Sequence, residues 1–197
     1  MPEPSLILAS SSPRRKEILE AMGLAFAVRT ANIDESLLEN EQAADMVVRL
    51  AAAKATAIAA RAGQIIIGAD TAVVLNEEIF GKPVDADDAL RMLRKLSGAT
   101  HQVMTGVAVA TTAGIQSTLS VTDVRFREIS HDEAHRYWQS GEPWDKAGAY
   151  AIQGRGGVFV EAIMGSFTSV VGLPVFEVAR LLREAGLETL PALQSGV

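Results

Sequence analysis

Short, fully apolar runs alternating with stretches of helical period constrain this chain more than any other feature of its sequence. The first run is residues 6–9, Leu-Ile-Leu-Ala, followed at once by three serines and Pro13. An unbroken apolar run of this length reads as a buried strand. Ser12 is placed as a helix N-cap, and Pro13 as a first helical residue whose missing N–H is unpaired in any case. Residues 13–22 therefore read as a helix. The pattern then repeats. Residues 43–61 form an Ala-rich helical stretch with Gly63 just beyond its end. Residues 65–68 read as a buried strand that residues 72–75 can continue past Asp70-Thr71, and residues 87–96 as a helix with Asp85 and Asp88 near its start. Residues 103–110 are strand-like, and residues 117–127 alternate apolar and polar as a half-exposed strand does. Ser130-His131-Asp132-Glu133 is a capping box opening a helix to about Gln139. Residues 158–163 and 169–171 read as short strands, Leu173-Pro174 opens a last helix ending near Gly186, and a polar, frayed tail follows. Such alternation, with helices as crossovers, predicts an α/β fold on a mixed sheet. The sequence shows neither an internal repeat nor a low-complexity linker, so residues 1–197 are read as one domain rather than two separable ones.

Composition narrows the function classes. The 197 residues suffice for a real core, and 48% hydrophobic against 21% charged is the balance of a globular protein. The net charge of -6 argues against non-specific nucleic-acid binding, which needs a basic face. A small anionic ligand stays open, because local clusters of Arg and Lys decide that. The absence of cysteine excludes disulfides, thiolate catalysis and Cys-based zinc sites. Apolar runs fall short of the roughly 20 residues of a membrane span, and the basic-then-apolar pattern of a secretory signal is lacking, so the expected location is cytoplasmic and away from membranes.

Several residues carry potential chemistry. Arg14 and Arg15 fall in the first turn of the first helix, where the helix dipole disfavours cations by roughly a few tenths of a kcal/mol. Free backbone amides and guanidinium groups at a helix start together suit a polyphosphate; a capped surface helix with two solvated arginines is the plainer reading. Lys54 lies within the apolar stripe of Val47, Ala51 and Ile58. It either snorkels to the helix edge or is held over an anion. Asp70 in Gly68-Ala69-Asp70-Thr71 ends a buried run, the place where open α/β sheets put ligand chemistry, although an aspartate there can also cap a turn. Lys82, in Gly81-Lys82-Pro83, is a loop lysine whose backbone is fixed by the proline after it. Asp34-Glu35 is either a solvated pair or, with Asp70, a source of hard oxygen ligands for Mg²⁺ or Mn²⁺. The glycine-dense stretch 141–154 carries Lys146 and Gln153, as a binding wall would. His101, His131 and His135 lack metal spacing and read as structural or surface residues.

Taken in order, these segments resemble the Maf family of nucleoside triphosphate pyrophosphatases, nearly end to end. The likeness runs through Leu8-Ala9-Ser10-Ser11-Ser12-Pro13-Arg14-Arg15, Asp34-Glu35, Val48-Arg49-Leu50-Ala51-Ala52-Ala53-Lys54-Ala55 and Gly68-Ala69-Asp70-Thr71. It continues through Gly81-Lys82-Pro83, Leu96-Ser97-Gly98-Ala99-Thr100-His101, Gly141-Glu142-Pro143-Trp144-Asp145-Lys146-Ala147-Gly148, Ile152-Gln153-Gly154 and Val171-Gly172-Leu173-Pro174. The resemblance implies a two-lobed α/β fold, of the kind shared with inosine triphosphatases, around an elongated mixed sheet with the active cleft between lobes. It also implies a homodimer and a divalent cation, Mg²⁺ or Mn²⁺. By the same resemblance Asp70 is the proton acceptor, while Ser10, Arg15, Glu35, Lys54 and Lys82 line the triphosphate and metal site. Arg14, Thr71 and Gln153 are associated with base choice and point to the dTTP- and UTP-preferring branch, since a sister branch acting on 7-methyl-GTP carries other residues there. Ala151, Phe167 and Trp144 depart from the family's frequent residues and are expected to reshape the pocket wall.

The residue-level reading agrees. Arg15, Lys54 and Lys82 neutralise a triphosphate, and Glu35 and Asp70 offer oxygens to a metal. A water then attacks the α-phosphorus and expels pyrophosphate. A carboxylate is a weak base at neutral pH, so the metal is expected to do much of the activation. A Gln153 amide, one donor and one acceptor, matches the O4/N3–H edge of thymine or uracil. The substrate class is then a free nucleoside triphosphate, damaged or modified pyrimidine nucleotides included. The alternatives are a nucleotide-binding regulator of septum formation without essential turnover, and 7-methyl-GTP hydrolysis.

Overall fold

The first strand is as short as its apolar run: β1, Leu6–Leu8, fully buried. In the computed structural model, which describes residues 6–190, it is followed by α1 (Pro13–Ala21, with Pro13 at its first turn), β2 (Ala27–Val28) and α2 (Ala43–Thr56). The chain continues through β3 (Ile65–Leu75), β4 (Glu78–Phe80), α3 (Ala86–Leu96), β5 (Thr100–Thr111) and β6 (Gly114–Phe126). It ends with α4 (His131–Gln139), β7 (Val160–Met164), α5 (Phe167–Val171) and α6 (Val175–Glu184). Of the expected polar tail, residues 191–197 lie outside the described residues. Among the described residues, no helix is long and apolar enough to cross a membrane.

The strands form one open, mixed, seven-stranded sheet in the order β2-β1-β3-β5-β6-β7, with β4 beside β3. β1 runs parallel to β2 and β3, and the remaining pairings are antiparallel. β3 is the axis. Its even-numbered residues Ile66, Ala72 and Val74 pack beneath α2, in clusters with Ala51, Ala55, Val47 and Leu50. Odd-numbered Ile65, Ile67 and Ala69 face Leu19 of α1 and Val178, Leu181 and Leu182 of α6. Val73 turns to a separate cluster with Leu90 and Leu93 of α3, Phe126 and Tyr137. One face of the sheet is thus covered by two helix groups, α1 with α6 and α3 with α4.

Two glycines bring α2 close. A Cβ at Gly68 would lie 2.2 Å from the Ala51 carbonyl oxygen, and one at Gly106 would lie 2.2 Å from that of Val47. The helix rests backbone to backbone on β3 and β5, which its alanine-rich face permits.

Two expectations are corrected and one is borne out. α2 ends at Thr56 rather than residue 61, where the Thr56 hydroxyl donates back to the Ala52 and Ala53 carbonyls and Ile58 and Ala60 pack as loop residues. Residues 65–75 form one strand, so the continuation past Asp70-Thr71 is borne out. Residues 169–171 belong to the short helix α5, capped by Ser166 accepting from the Ser169 amide at 3.2 Å, and not to a strand. That cap outweighs the β preference of Val170 and Val171. β4 had no distinct sequence signal; it returns from β3 through a two-residue turn with Asn76 and Glu77 at positive φ.

Candidate active site

The site begins with a gap in the sheet. On one edge of β3, β1 pairs with residues 65–67 and β4 with residues 73–75, while β5 occupies the other edge. Residues 68–72 are left without a strand partner on that edge. Because side chains alternate, Asp70 leaves one face of β3 and Thr71 the other, and both reach the gap. A cleft of about 640 Å³ opens there.

On the α2 face, Lys54 is the pivot. Its Nζ lies 2.6 Å from Asp70 Oδ1 and 2.7 Å from Glu35 Oε1. The Lys54 and Asp70 side chains retain only 10% and 14% of their exposure, against 58% for Glu35. This lysine does not snorkel; two carboxylates hold it at the cleft. Asp34 and Glu35 separate, since Asp34 turns back to accept from the Ser36 amide at 2.9 Å and the Ser36 hydroxyl at 2.6 Å. Those bonds hold the Asp34 carboxyl below the usual range.

On the other face, α1 delivers Arg15. Its Nε donates to the Gly172 carbonyl at 2.8 Å, and its terminal nitrogens donate to Ser10 Oγ and Thr71 Oγ1, each at 3.2 Å. Thr71 Oγ1 also lies 3.0 Å from Thr105 Oγ1, which donates to the Ser169 carbonyl at 2.9 Å. Burial pulls the Arg15 pKa below its ordinary range, with Asp70 pulling it back up, and an arginine remains charged regardless. Thr105 and Gly172 were not singled out. A threonine within the otherwise small and apolar run 103–110 was the available signal for the first.

The third wall is irregular. After α4 come short 3₁₀ turns at Glu142–Asp145, Ala147–Ala149 and Arg155–Phe159. Asp145 lies between two cations, pairing with Lys146 and standing 3.7 Å from Arg14. The Gly148 amide donates to the Gly81 carbonyl at 3.0 Å, docking this loop on the one that carries Lys82. Lys82 is exposed and has no ion-pair partner among the described residues. Gln153 is exposed at the cleft with its amide uncommitted among the described residues.

Ser10, Arg14, Arg15, Glu35, Lys54, Asp70, Thr71, Lys82, Lys146 and Gln153 all line this one cleft. Of the three departures from the family pattern, only Ala151 does; Trp144 lies beside Trp138, ring centres 5.5 Å apart, and Phe167 opens α5. The histidines stand apart. His101 is buried with Nε2 2.9 Å from the Tyr150 hydroxyl, and His131 is exposed.

Among the described residues, no group of three or more His, Cys, Asp or Glu is placed to hold a metal. Glu35 and Asp70 nevertheless meet at one ammonium, so two hard oxygen donors face the same point. Mg²⁺ keeps several waters and is usually held by one or two carboxylates plus substrate phosphates. The pair fits such an ion, shared with a phosphate ligand.

A gapped α/β sheet that gathers arginines and lysines around a lysine-bridged carboxylate pair defines a protein built to grip a polyphosphate. The chain belongs to the Maf-like protein family, whose model matches residues 5–185. It is 52% identical over 187 residues to a dTTP/UTP pyrophosphatase of Hahella chejuensis, covering 93% of each chain. It is 51% identical to one of Anaeromyxobacter dehalogenans (93% of this chain, 95% of the relative) and 47% identical to one of Vibrio parahaemolyticus (91% and 96%).

Proposed function

We propose that this chain hydrolyses dTTP and UTP to the monophosphate and pyrophosphate. The observation that carries the reading is Lys54 bridging Glu35 and Asp70 in a cleft whose other walls bring Arg15, Lys82 and Lys146. In this reading Arg15, fixed by Ser10, Thr71 and Gly172, presents its guanidinium to the phosphates, and the unpaired Lys82 and the loop residue Lys146 neutralise the rest. Asp70 orients the attacking water and accepts its proton at the carboxylate. The water oxygen bonds to the α-phosphorus as the bond to the bridging oxygen breaks, and pyrophosphate leaves with that electron pair. Lys54, released from the carboxylates as phosphate enters, stabilises the charge that builds on the transferred group. Glu35 and Asp70 would hold Mg²⁺ or Mn²⁺, which supplies Lewis-acid stabilisation of phosphate charge and a lowered pKa for bound water. Gln153, whose free amide faces the cleft, reads the O4/N3–H edge of the pyrimidine.

The same reading covers a homodimer acting on free nucleotides in the cytoplasm and not on nucleic acid. Exposed apolar side chains such as Met164 and Phe176 support self-association, and the net charge of -6 disfavours a nucleic-acid partner. The test is pyrophosphate release with Mg²⁺ or Mn²⁺ across dTTP, UTP, CTP, ATP, GTP and 7-methyl-GTP. Selective release from dTTP and UTP is expected. Release confined to 7-methyl-GTP would overturn the base assignment, and no release at all would overturn the activity.

A further inference from the structure

Gln153 sits in a stretch with no regular structure of its own, yet its backbone is held on both sides. The Ala151 amide, two residues before it, donates to the Tyr137 hydroxyl at 3.0 Å. The Arg155 amide, two residues after it, donates to Glu142 Oε2 at 3.0 Å, and the Gly156 amide to Oε1 at 3.0 Å. The two anchors are themselves joined, since the Tyr137 hydroxyl donates to Glu142 Oε1 at 2.7 Å. Tyr137 comes from α4 and is nearly buried, so the regular part of the fold reaches the loop through this phenol.

The glycines around Gln153 fit the same arrangement. A Cβ at Gly154 would stand 2.3 Å from Glu142 Oε2, and one at Gly156 would stand 2.5 Å from the Tyr137 hydroxyl oxygen. The backbone here lies against the two polar groups, and a side chain at either position would lift it off. Burial pushes the Glu142 carboxyl up, but the Tyr137 hydroxyl and the two amides outweigh this and hold it below the usual carboxylate range. It therefore stays an acceptor for all three donors at neutral pH.

We propose that Tyr137 and Glu142 are positioning residues for Gln153, and that by pinning the backbone on both sides of it they set which base the cleft accepts. The inference rests on Gln153 reading the pyrimidine edge. A side-chain amide distinguishes bases only if its donor and acceptor meet the right atoms. A loop free to shift by a fraction of an ångström loses that discrimination while leaving the phosphate-binding residues where they were.

The experiment compares Tyr137→Phe, Glu142→Gln, Gln153→Ala and the Tyr137→Phe/Gln153→Ala double variant, reading kcat and KM for dTTP, UTP and GTP together with the melting temperature. Gln153→Ala is expected to lower the dTTP-over-GTP ratio of kcat/KM by about tenfold. Tyr137→Phe is expected to lower it several-fold, through a raised KM for the pyrimidines with GTP turnover unchanged, and to lower it no further once Gln153 is gone. Equal losses on all three substrates would assign Tyr137 a merely structural role and overturn the proposal. So would a ratio that moves in Gln153→Ala but not in Tyr137→Phe. A ratio untouched by Gln153→Ala overturns base reading by Gln153 itself, and the proposal with it. Glu142→Gln, which keeps the volume but replaces an acceptor oxygen by a donor amide, carries the same comparison should Tyr137→Phe fail to fold.

Discussion

Lys54 and Asp70 project from a helix and a strand that touch backbone to backbone, whereas Gln153 projects from a run of 3₁₀ turns shaped by polar side chains. At the first region a Cβ on Gly68 or Gly106 would drive into an α2 carbonyl, so the separation of α2 from the sheet has almost no slack. At the second, the chain passes through positive φ at Gly148 and Ala149, then rests on Tyr137 and Glu142. The first arrangement is stiff because regular elements leave few alternatives. The second is held by a handful of hydrogen bonds, each replaceable. A fold divided this way can retune what its loop recognises without disturbing the groups placed by its sheet.

The sharpest break of this comparison is at Asp70. Asp70→Asn keeps the volume and removes the proposed proton acceptor and the anionic partner of Lys54. We expect turnover of every triphosphate to fall at least about 10³-fold, with a melting temperature within a few degrees of the parent. Near-normal turnover would show that the stiff region does not hold the chemistry. Gly106→Ala tests the stiffness itself. The added methyl has to displace the Val47 carbonyl, and overpacking of this kind costs about 2–3 kcal/mol. Urea unfolding measures it, and a loss below about 0.5 kcal/mol would mean that α2 has room to move.

Beneath the softer region lies an aromatic group that links it to β5. His101 packs edge-on to Phe126 and Tyr150, with ring centres 4.8 and 5.5 Å away. Burial lowers its pKa from the ordinary 6.5 to about 4. Between these values the unfolded chain takes up a proton at this site that the folded chain refuses. The stability is therefore whole above pH 6.5 and is lost as the pH falls toward 4, by up to about 3 kcal/mol. His101→Gln keeps a polar atom near the Tyr150 hydroxyl and should flatten that acid limb when unfolding is followed from pH 7 to pH 4. An unchanged slope would move the acid sensitivity elsewhere.

Much of the stiff region was legible because its signals are local. The apolar run before Ser10, proline at the first turn of α1 and the Ser130–Glu133 capping box each form within a few residues, and each is found as expected. Lys54 stood out because a lysine in an apolar stripe needs a partner, and the partners were acids already marked in the sequence. The misses depend on neighbouring segments rather than on the pattern within the element itself. β4 exists only because β3 runs on through Asp70-Thr71, and α5 forms where Ser166 caps it, against the local β preference of two valines. Tyr137 gave no sign. A tyrosine on the buried side of a helix reads as core, and only the folded loop shows that its hydroxyl holds up Ala151 and Glu142.

The smallest effect separates the two regions most finely. Gln153→Glu keeps the length of the side chain and exchanges its amide donor for a second acceptor, so a pyrimidine O4 loses its partner while N3–H keeps one. A negative charge in a cleft for triphosphates weakens every substrate somewhat, which makes the ratio between substrates the informative quantity. We expect dTTP and UTP to lose about tenfold more in kcat/KM than ATP or GTP, roughly 1.4 kcal/mol of discrimination. Equal losses would mean that the new charge acts only through the phosphates, and base choice would then have to lie with Arg14 and Thr71. Thr71 already donates or accepts within the hydroxyl chain that holds Arg15. In that case recognition of the base and grip on the phosphates would share one set of side chains, and the division between a stiff chemical region and an adjustable reading loop would disappear.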